Sequence, residues 1–189
     1  MMINYIQALD LKILLWLNNF VKDWGFWNKL FAEYLIYVLP IILLWLWFYD
    51  QKSKKVAMRA AGSALVAFLV FAHSIGQFIH RARPFDSGGV RELLFHRPTY
   101  SFPSDHATVF FAIAASFWFS GNKKMGVAFF VLASINAIFR VATGIHWPTD
   151  VLAGAIIGIF TAYLVYLFDK PLNIVYEFVI KLAKKVNLA

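Results

Sequence analysis

SFPSDHATVFF, residues 101–111, places a proline, hydroxyls, a carboxylate and an imidazole directly before a strongly apolar run. Ser104 reads as a helix N-cap, with Asp105 beside the positive end of the helix. In a soluble chain this would be an ordinary helix start. Here the helix it opens points into lipid, because the 189-residue chain is 61% hydrophobic and 19% aromatic. Its mean hydropathy of +0.65 exceeds what a soluble domain of this size can hide. Residues 30–48, 56–78, 107–120 and 151–168 read as spans, and 127–142 makes a fifth. Open sheet edges cannot exist in lipid, and no alternating barrel pattern is present. The fold expected is all-α: a polytopic transmembrane helical bundle of five or six spans with amphipathic terminal helices. No linker, repeat or low-complexity segment divides it, so residues 1–189 read as one domain.

Residues 5–21 are apolar but carry Asp10, Lys12, Asn18 and Asn19. They read as an interfacial amphipathic helix, with a sixth span as the alternative. The pattern of a cleaved signal peptide is missing, so this segment is expected in the mature protein. Residues 172–186 repeat the amphipathic character with Lys181, Lys184 and Lys185, and are expected along the membrane surface. The absence of cysteine excludes disulfides and thiol chemistry.

The net charge of +8 is clustered. Lys52, Lys54, Lys55 and Arg59 share one connection, Lys123 and Lys124 another, and Lys170, Lys181, Lys184 and Lys185 the tail. Five spans put all three clusters on one side, cytoplasmic by the positive-inside rule, which argues for a membrane protein and against nucleic acid. The loops 80–103 and 143–149 then face outward together. They break the charge bias with Arg81, Arg83, Arg91 and Arg97, and with Arg140 nearby, a set that attracts anions. A ring for lipid headgroups is the simpler reading.

Three polar constellations favour chemistry. In His80-Arg81-Ala82-Arg83-Pro84, arginine offers a planar fork matched to phosphate oxygens, and proline stops the helix. At Ser104, the unpaired amides of a helix start make a place for phosphate, with His106 in the first turn. In Arg140-Val-Ala-Thr-Gly-Ile-His146-Trp-Pro-Thr-Asp150, the i, i+4 spacing puts Asp150 one turn from His146. A carboxylate on one ring nitrogen would fix the tautomer and leave the other nitrogen as nucleophile or base.

These segments resemble the signature of the type 2 phosphatidic acid phosphatase superfamily of membrane lipid phosphatases: K-x6-R-P, then P-S-G-H, then S-R-x5-H-x3-D. Arg83-Pro84 matches the end of the first element. Pro103-Ser104-Asp105-His106 matches the second with aspartate for glycine, and Arg140, His146 and Asp150 match the third. The variant FPSDHAT looks like the bacitracin-resistance-type undecaprenyl-diphosphate phosphatases of that superfamily. Two positions depart: Gly76 stands where the motif has lysine, and Phe139 where it has serine. His80, Arg81 and Arg91 are the candidates to supply the missing charge.

The resemblance implies a two-step reaction without metal or cofactor. His146 attacks phosphorus to form a phosphohistidine, Asp150 orients it, and His106 protonates the leaving lipid phosphate and then activates water. Arg83, Ser104 and Arg140 hold the phosphate. The implied partner is an isoprenoid or other phospholipid substrate within the membrane, with undecaprenyl diphosphate first, to be cleaved on the extracytoplasmic side of the cell membrane to recycle a carrier of cell-wall synthesis. Phosphatidylglycerol phosphate, phosphatidic acid and lipid A are the alternatives within this chemistry. Other classes are a metal hydrolase using His80, His106, His146 and Asp150, although no HExxH is present, and a transporter or lipid-binding protein, whose polar groups should line a midplane path. No oligomeric state follows from these residues.

Overall fold

The computed structural model describes residues 2–95 and 99–186, so Arg97 lies outside the described residues. Helix α1, Met2–Phe20, leads to α2, Gly25–Ala32, and α3, Val38–Tyr49, the last two separated by a 3-10 turn at Tyr34–Tyr37. Helix α4, Gln51–Val66, runs through a π-helical turn at Ala67–Ala72 into α5, His73–Phe78. After a long loop come α6, Asp105–Phe119, α7, Lys123–Ala142, α8, Pro148–Leu167, and α9, Asp169–Lys185. There is no strand among the described residues.

Helix α6 is the centre, with nine of its fifteen residues buried. The α4 side contributes Ala57, Ala60, Ala64 and Ala67, small residues at helical spacing that pack in one core with Phe110, Ile113 and Phe117. Phe117 stacks on Phe129 of α7 with ring centroids 4.8 Å apart. Helix α8 comes closer still, through Gly154 and Gly158. A Cβ at 154 would lie 2.6 Å from the Ser104 carbonyl oxygen, and one at 158 would lie 2.7 Å from the Ala112 amide nitrogen. Small residues four apart allow backbones to approach in this way. Their partners advance together along both helices, so α6 and α8 run in the same direction and their polar starts emerge at the same end.

Among the described residues, three helices are long and apolar enough to cross a membrane: Gln51–Phe78, Lys123–Ala142 and Pro148–Leu167. The expected span 30–48 is instead broken at Glu33, where Gly25–Ala32 and Tyr34–Tyr49 meet at 42°, and counted together they make a fourth. The carbonyls freed at the break are satisfied by α7, since Asn136 Nδ2 donates to Phe31 O at 2.8 Å and Ala32 O at 3.2 Å. Length and composition therefore give three or four spans where the sequence suggests five or six. The difference includes α6, which at about 1.5 Å per residue is too short for a bilayer core of about 30 Å and is sheathed by other helices over much of its surface.

The basic clusters meet at one end of the bundle. Lys55 Nζ reaches Glu177 at 2.9 Å and Asn173 at 2.8 Å, while Arg59 donates to Asp169 at 2.8 Å and to Ser120 at 2.6 Å. The other end holds the starts of α6 and α8, the end of α7 and the long loop. Helix α1 lies across this end: Asn18 Nδ2 donates to Arg91 O and Ala142 O, both at 2.9 Å, and Leu14 packs with Val90 and Val141. Exposed aromatics ring both ends, Trp16, Trp27 and Tyr37 at the latter and Trp45, Tyr49 and Phe168 at the former, as at membrane interfaces.

Candidate active site

The turn after α7 brings the third constellation against the long loop. Gly144 takes φ +80°, and a Cβ there would lie 2.6 Å from Arg91 O, so both conformation and space call for glycine. Arg83 then staples the two connections. Its Nη1 donates to Ile145 O at 2.7 Å, Nε to Thr99 O at 2.9 Å, and Nη2 to Thr99 Oγ1 at 2.9 Å and Tyr100 O at 3.0 Å. Burial pushes its guanidinium below the ordinary arginine range, against the opposing pull of Asp150, Asp105 and Asp86. Most of its donors are engaged within the protein, so what it offers a phosphate is chiefly charge.

His146 is buried between two partners. Nδ1 lies 2.8 Å from Ser101 O, and Nε2 lies 3.1 Å from Arg140 Nη2. A carbonyl oxygen only accepts and a guanidinium only donates, so the ring is neutral with its proton on Nδ1 and its lone pair on Nε2. The spacing alone suggests that Asp150 makes the Nδ1 bond, but its Oδ2 stands 3.7 Å away. Oδ2 instead accepts from the Trp147 amide at 2.9 Å, closing the start of α8, and Oδ1 accepts from Arg81 Nη1 at 2.6 Å. Asp150 therefore supplies negative charge beside the ring, while the Ser101 backbone holds its orientation.

Ser104 caps α6 as expected, its hydroxyl accepting from the Ala107 amide at 3.5 Å, and its own amide donates to Asp150 O at 3.1 Å. That bond ties the starts of α6 and α8 together. His106 and Arg140 share a pocket of about 210 Å³ with Glu33, Tyr37 and Ile145. Arg140 is 4% exposed. Its Nη1 lies 3.4 Å from Ala32 O, and its buried Nε has no hydrogen-bond partner. A buried donor left unmatched costs stability, and Arg140 carries it while lining this pocket. Arg140 thus touches His146 and lines the same pocket as His106.

The candidates for the missing lysine are placed differently from one another. Arg81 has both Nη atoms engaged, by Asp10 at 2.7 Å and by Thr149 and Asp150 at 2.6 Å, and its guanidinium lies over Trp147. His80 packs on Tyr100 with ring centroids 4.3 Å apart. Arg91 has an exposed side chain, and its backbone is pinned by Asn18. Gly76 itself lines a second pocket of about 540 Å³ with His73, Gln77, Arg83 and Asp105. Among the described residues no three His, Cys, Asp or Glu side chains gather as a metal cage, so the four ligands of the metal-hydrolase alternative form no single cluster.

Two contributors were not singled out from sequence as part of the site. The Ser101 carbonyl carries no side-chain signal. Asp10 does carry one, a lone carboxylate in an apolar helix, which in such a setting points to an inward partner.

A family model described as the PAP2 superfamily matches residues 56–173. The chain is 29% identical to the bacitracin transport permease protein BcrC of Bacillus licheniformis over 96% of this chain and 90% of that one. It is also 29% identical to the undecaprenyl-diphosphatase BcrC of Bacillus subtilis, over 82% of this chain and 80% of that one. Among solved structures, the transmembrane PAP2 type phosphatidylglycerolphosphate phosphatase of Bacillus subtilis superposes with a TM-score of 0.61 at 25% identity, covering 89% of this chain and 88% of that one.

Proposed function

Because this chain belongs to the PAP2 superfamily and is a multi-pass membrane phosphatase, we propose that its substrate is undecaprenyl diphosphate, hydrolysed to undecaprenyl phosphate and inorganic phosphate. The observation that carries the chemistry is the placement of His146 Nε2 3.1 Å from Arg140 Nη2, with Arg140 lining the pocket of His106. The substrate is supported by the name of the Bacillus subtilis BcrC relative.

In the proposed reaction, a terminal phosphoryl oxygen takes over the Arg140 donor and frees the Nε2 lone pair. Nε2 bonds to phosphorus as the bond to the bridging oxygen breaks. His106 gives its proton to that oxygen, and undecaprenyl phosphate leaves. Water then attacks the phosphohistidine, His106 accepts its proton, the P–N bond breaks and inorganic phosphate departs. Such transfers ask for positioning and positive charge more than covalent chemistry. Arg140, the Arg83 charge, the Ser104 hydroxyl and the first amides of α6 supply these as charge builds on the phosphoryl group.

The basic clusters lie at the opposite end from these residues, which supports a site on the extracytoplasmic side of the cell membrane. A phosphatidylglycerol phosphate substrate is the second reading, because a structural neighbour carries that activity in its name. The transport named for the Bacillus licheniformis relative is less well supported, since the site's polar side chains gather at one end instead of along a midplane path. Phosphate release across a panel of undecaprenyl diphosphate, phosphatidylglycerol phosphate, phosphatidic acid and lipid A decides among them. Equal rates on all four would sink the narrow assignment.

A further inference from the structure

Asp10 is 2% exposed although it sits on α1, whose outer face exposes Tyr5, Leu9, Trp16 and Phe20. A carboxylate buried there is costly unless fully paired, and its partners belong to the candidate site. It accepts from Arg81 Nη2 at 2.7 Å, from the Thr149 amide at 3.0 Å and from Thr149 Oγ1 at 2.5 Å. The Thr149 amide is one of the unpaired donors in the first turn of α8, so a residue 139 positions away caps that helix. Arg81 continues the path, since its Nη1 binds Asp150 Oδ1 at 2.6 Å, and Asp150 Oδ2 stands 3.7 Å from His146 Nδ1.

The charges make this more than a brace. One guanidinium between two carboxylates leaves this trio with a charge of −1 on the Nδ1 side of the imidazole, opposite Arg140 on the Nε2 side. When Nε2 bonds to phosphorus and Nδ1 keeps its proton, the ring becomes cationic, and that charge has its counterpart already in place. With Asp10 neutral, Arg81 would cancel Asp150 alone, and the cationic ring would lose its counter-charge at low dielectric, where it matters most.

We propose that Asp10, outside the residues matched by the family model, is a positioning residue for phosphoryl transfer. Through Arg81 it orients Asp150 and sets the negative charge that faces the Nδ1 side of His146. The proposal rests on the phosphatase reading.

The test is steady-state phosphate release by the purified full chain, comparing the parent with Asp10→Asn, which keeps the shape and an acceptor for Thr149 but removes the charge. The expected result is a kcat lower by roughly ten- to a hundredfold, with KM unchanged per folded protein and Asp10→Glu recovering part of the loss. In an Arg81→Gln background the further effect of Asp10→Asn should vanish, because the link is already cut. A kcat equal to the parent, or an undiminished effect in that background, overturns the proposal while leaving the phosphatase reading intact. If Asp10→Asn does not fold, Arg81→Lys serves instead: it keeps the charge but lacks the planar fork whose two ends hold Asp10 and Asp150 separately, and an unchanged kcat there also overturns it. A parent that releases phosphate from none of the panel lipids overturns the phosphatase reading, and the proposal with it.

Discussion

His146 is oriented by the backbone carbonyl of Ser101, 2.8 Å from Nδ1 and 45 positions earlier in the chain. The carboxylate one turn away, Asp150, stands at 3.7 Å. Substituting Asp150 should therefore leave the ring's hydrogen bond in place and remove its charge support. Asp150→Asn also turns an amide donor toward either Arg81 or the Trp147 amide, which costs on the order of 3 kcal/mol for a buried pair that loses one partner. A kcat lower by about a hundredfold is expected, with a lower Tm in detergent.

Arg140 tests the geometry of the fork. Lysine keeps the charge but has neither the planar pair of donors nor the Nε that stands unpartnered in the pocket wall. Arg140→Lys is expected to lose roughly a hundredfold in kcat. Binding of the substrate lipid, measured separately, should change less.

His106 is assigned to both proton transfers, so His106→Gln should lower turnover by about 10²–10⁴-fold. If hydrolysis of the intermediate suffers most, protein incubated with 32P-labelled substrate will carry acid-labile, base-stable label. No label should appear on the corresponding variant lacking His146.

The close approach of α8 to α6 gives a prediction about the fold alone. A Cβ at Gly158 would lie 2.7 Å from the Ala112 amide nitrogen and against the Thr108 carbonyl, both backbone groups that cannot swing away. Gly158→Ala should destabilise by about 1–3 kcal/mol, read as a lower Tm. The same move at Gly62, where a Cβ would meet nothing within 4 Å, should not lower it.

Much of the candidate site's placement follows from the sequence because its motifs sit at helix ends. Pro103-Ser104 and Pro148 mark starts that the structure places side by side, and the 140, 146, 150 spacing spans one turn and one helix start. What could not be read was long-range pairing. Arg81 reads as a phosphate ligand because a basic loop attracts anions, yet its partners are carboxylates 71 and 69 positions away. Asp10 reads as part of a surface helix because its burial depends on how α1 lies across the bundle. The break at Glu33 was also hidden, since Asn136 and Arg140 satisfy the carbonyls freed there from another helix.

The most direct measurement is inorganic phosphate release from undecaprenyl diphosphate by the purified protein in detergent with excess EDTA, beside His146→Ala. Release by the parent that survives the chelator and is lost in the variant is the expected result. Release that stops with EDTA, or persists in His146→Ala, would contradict a phosphohistidine built on Nε2.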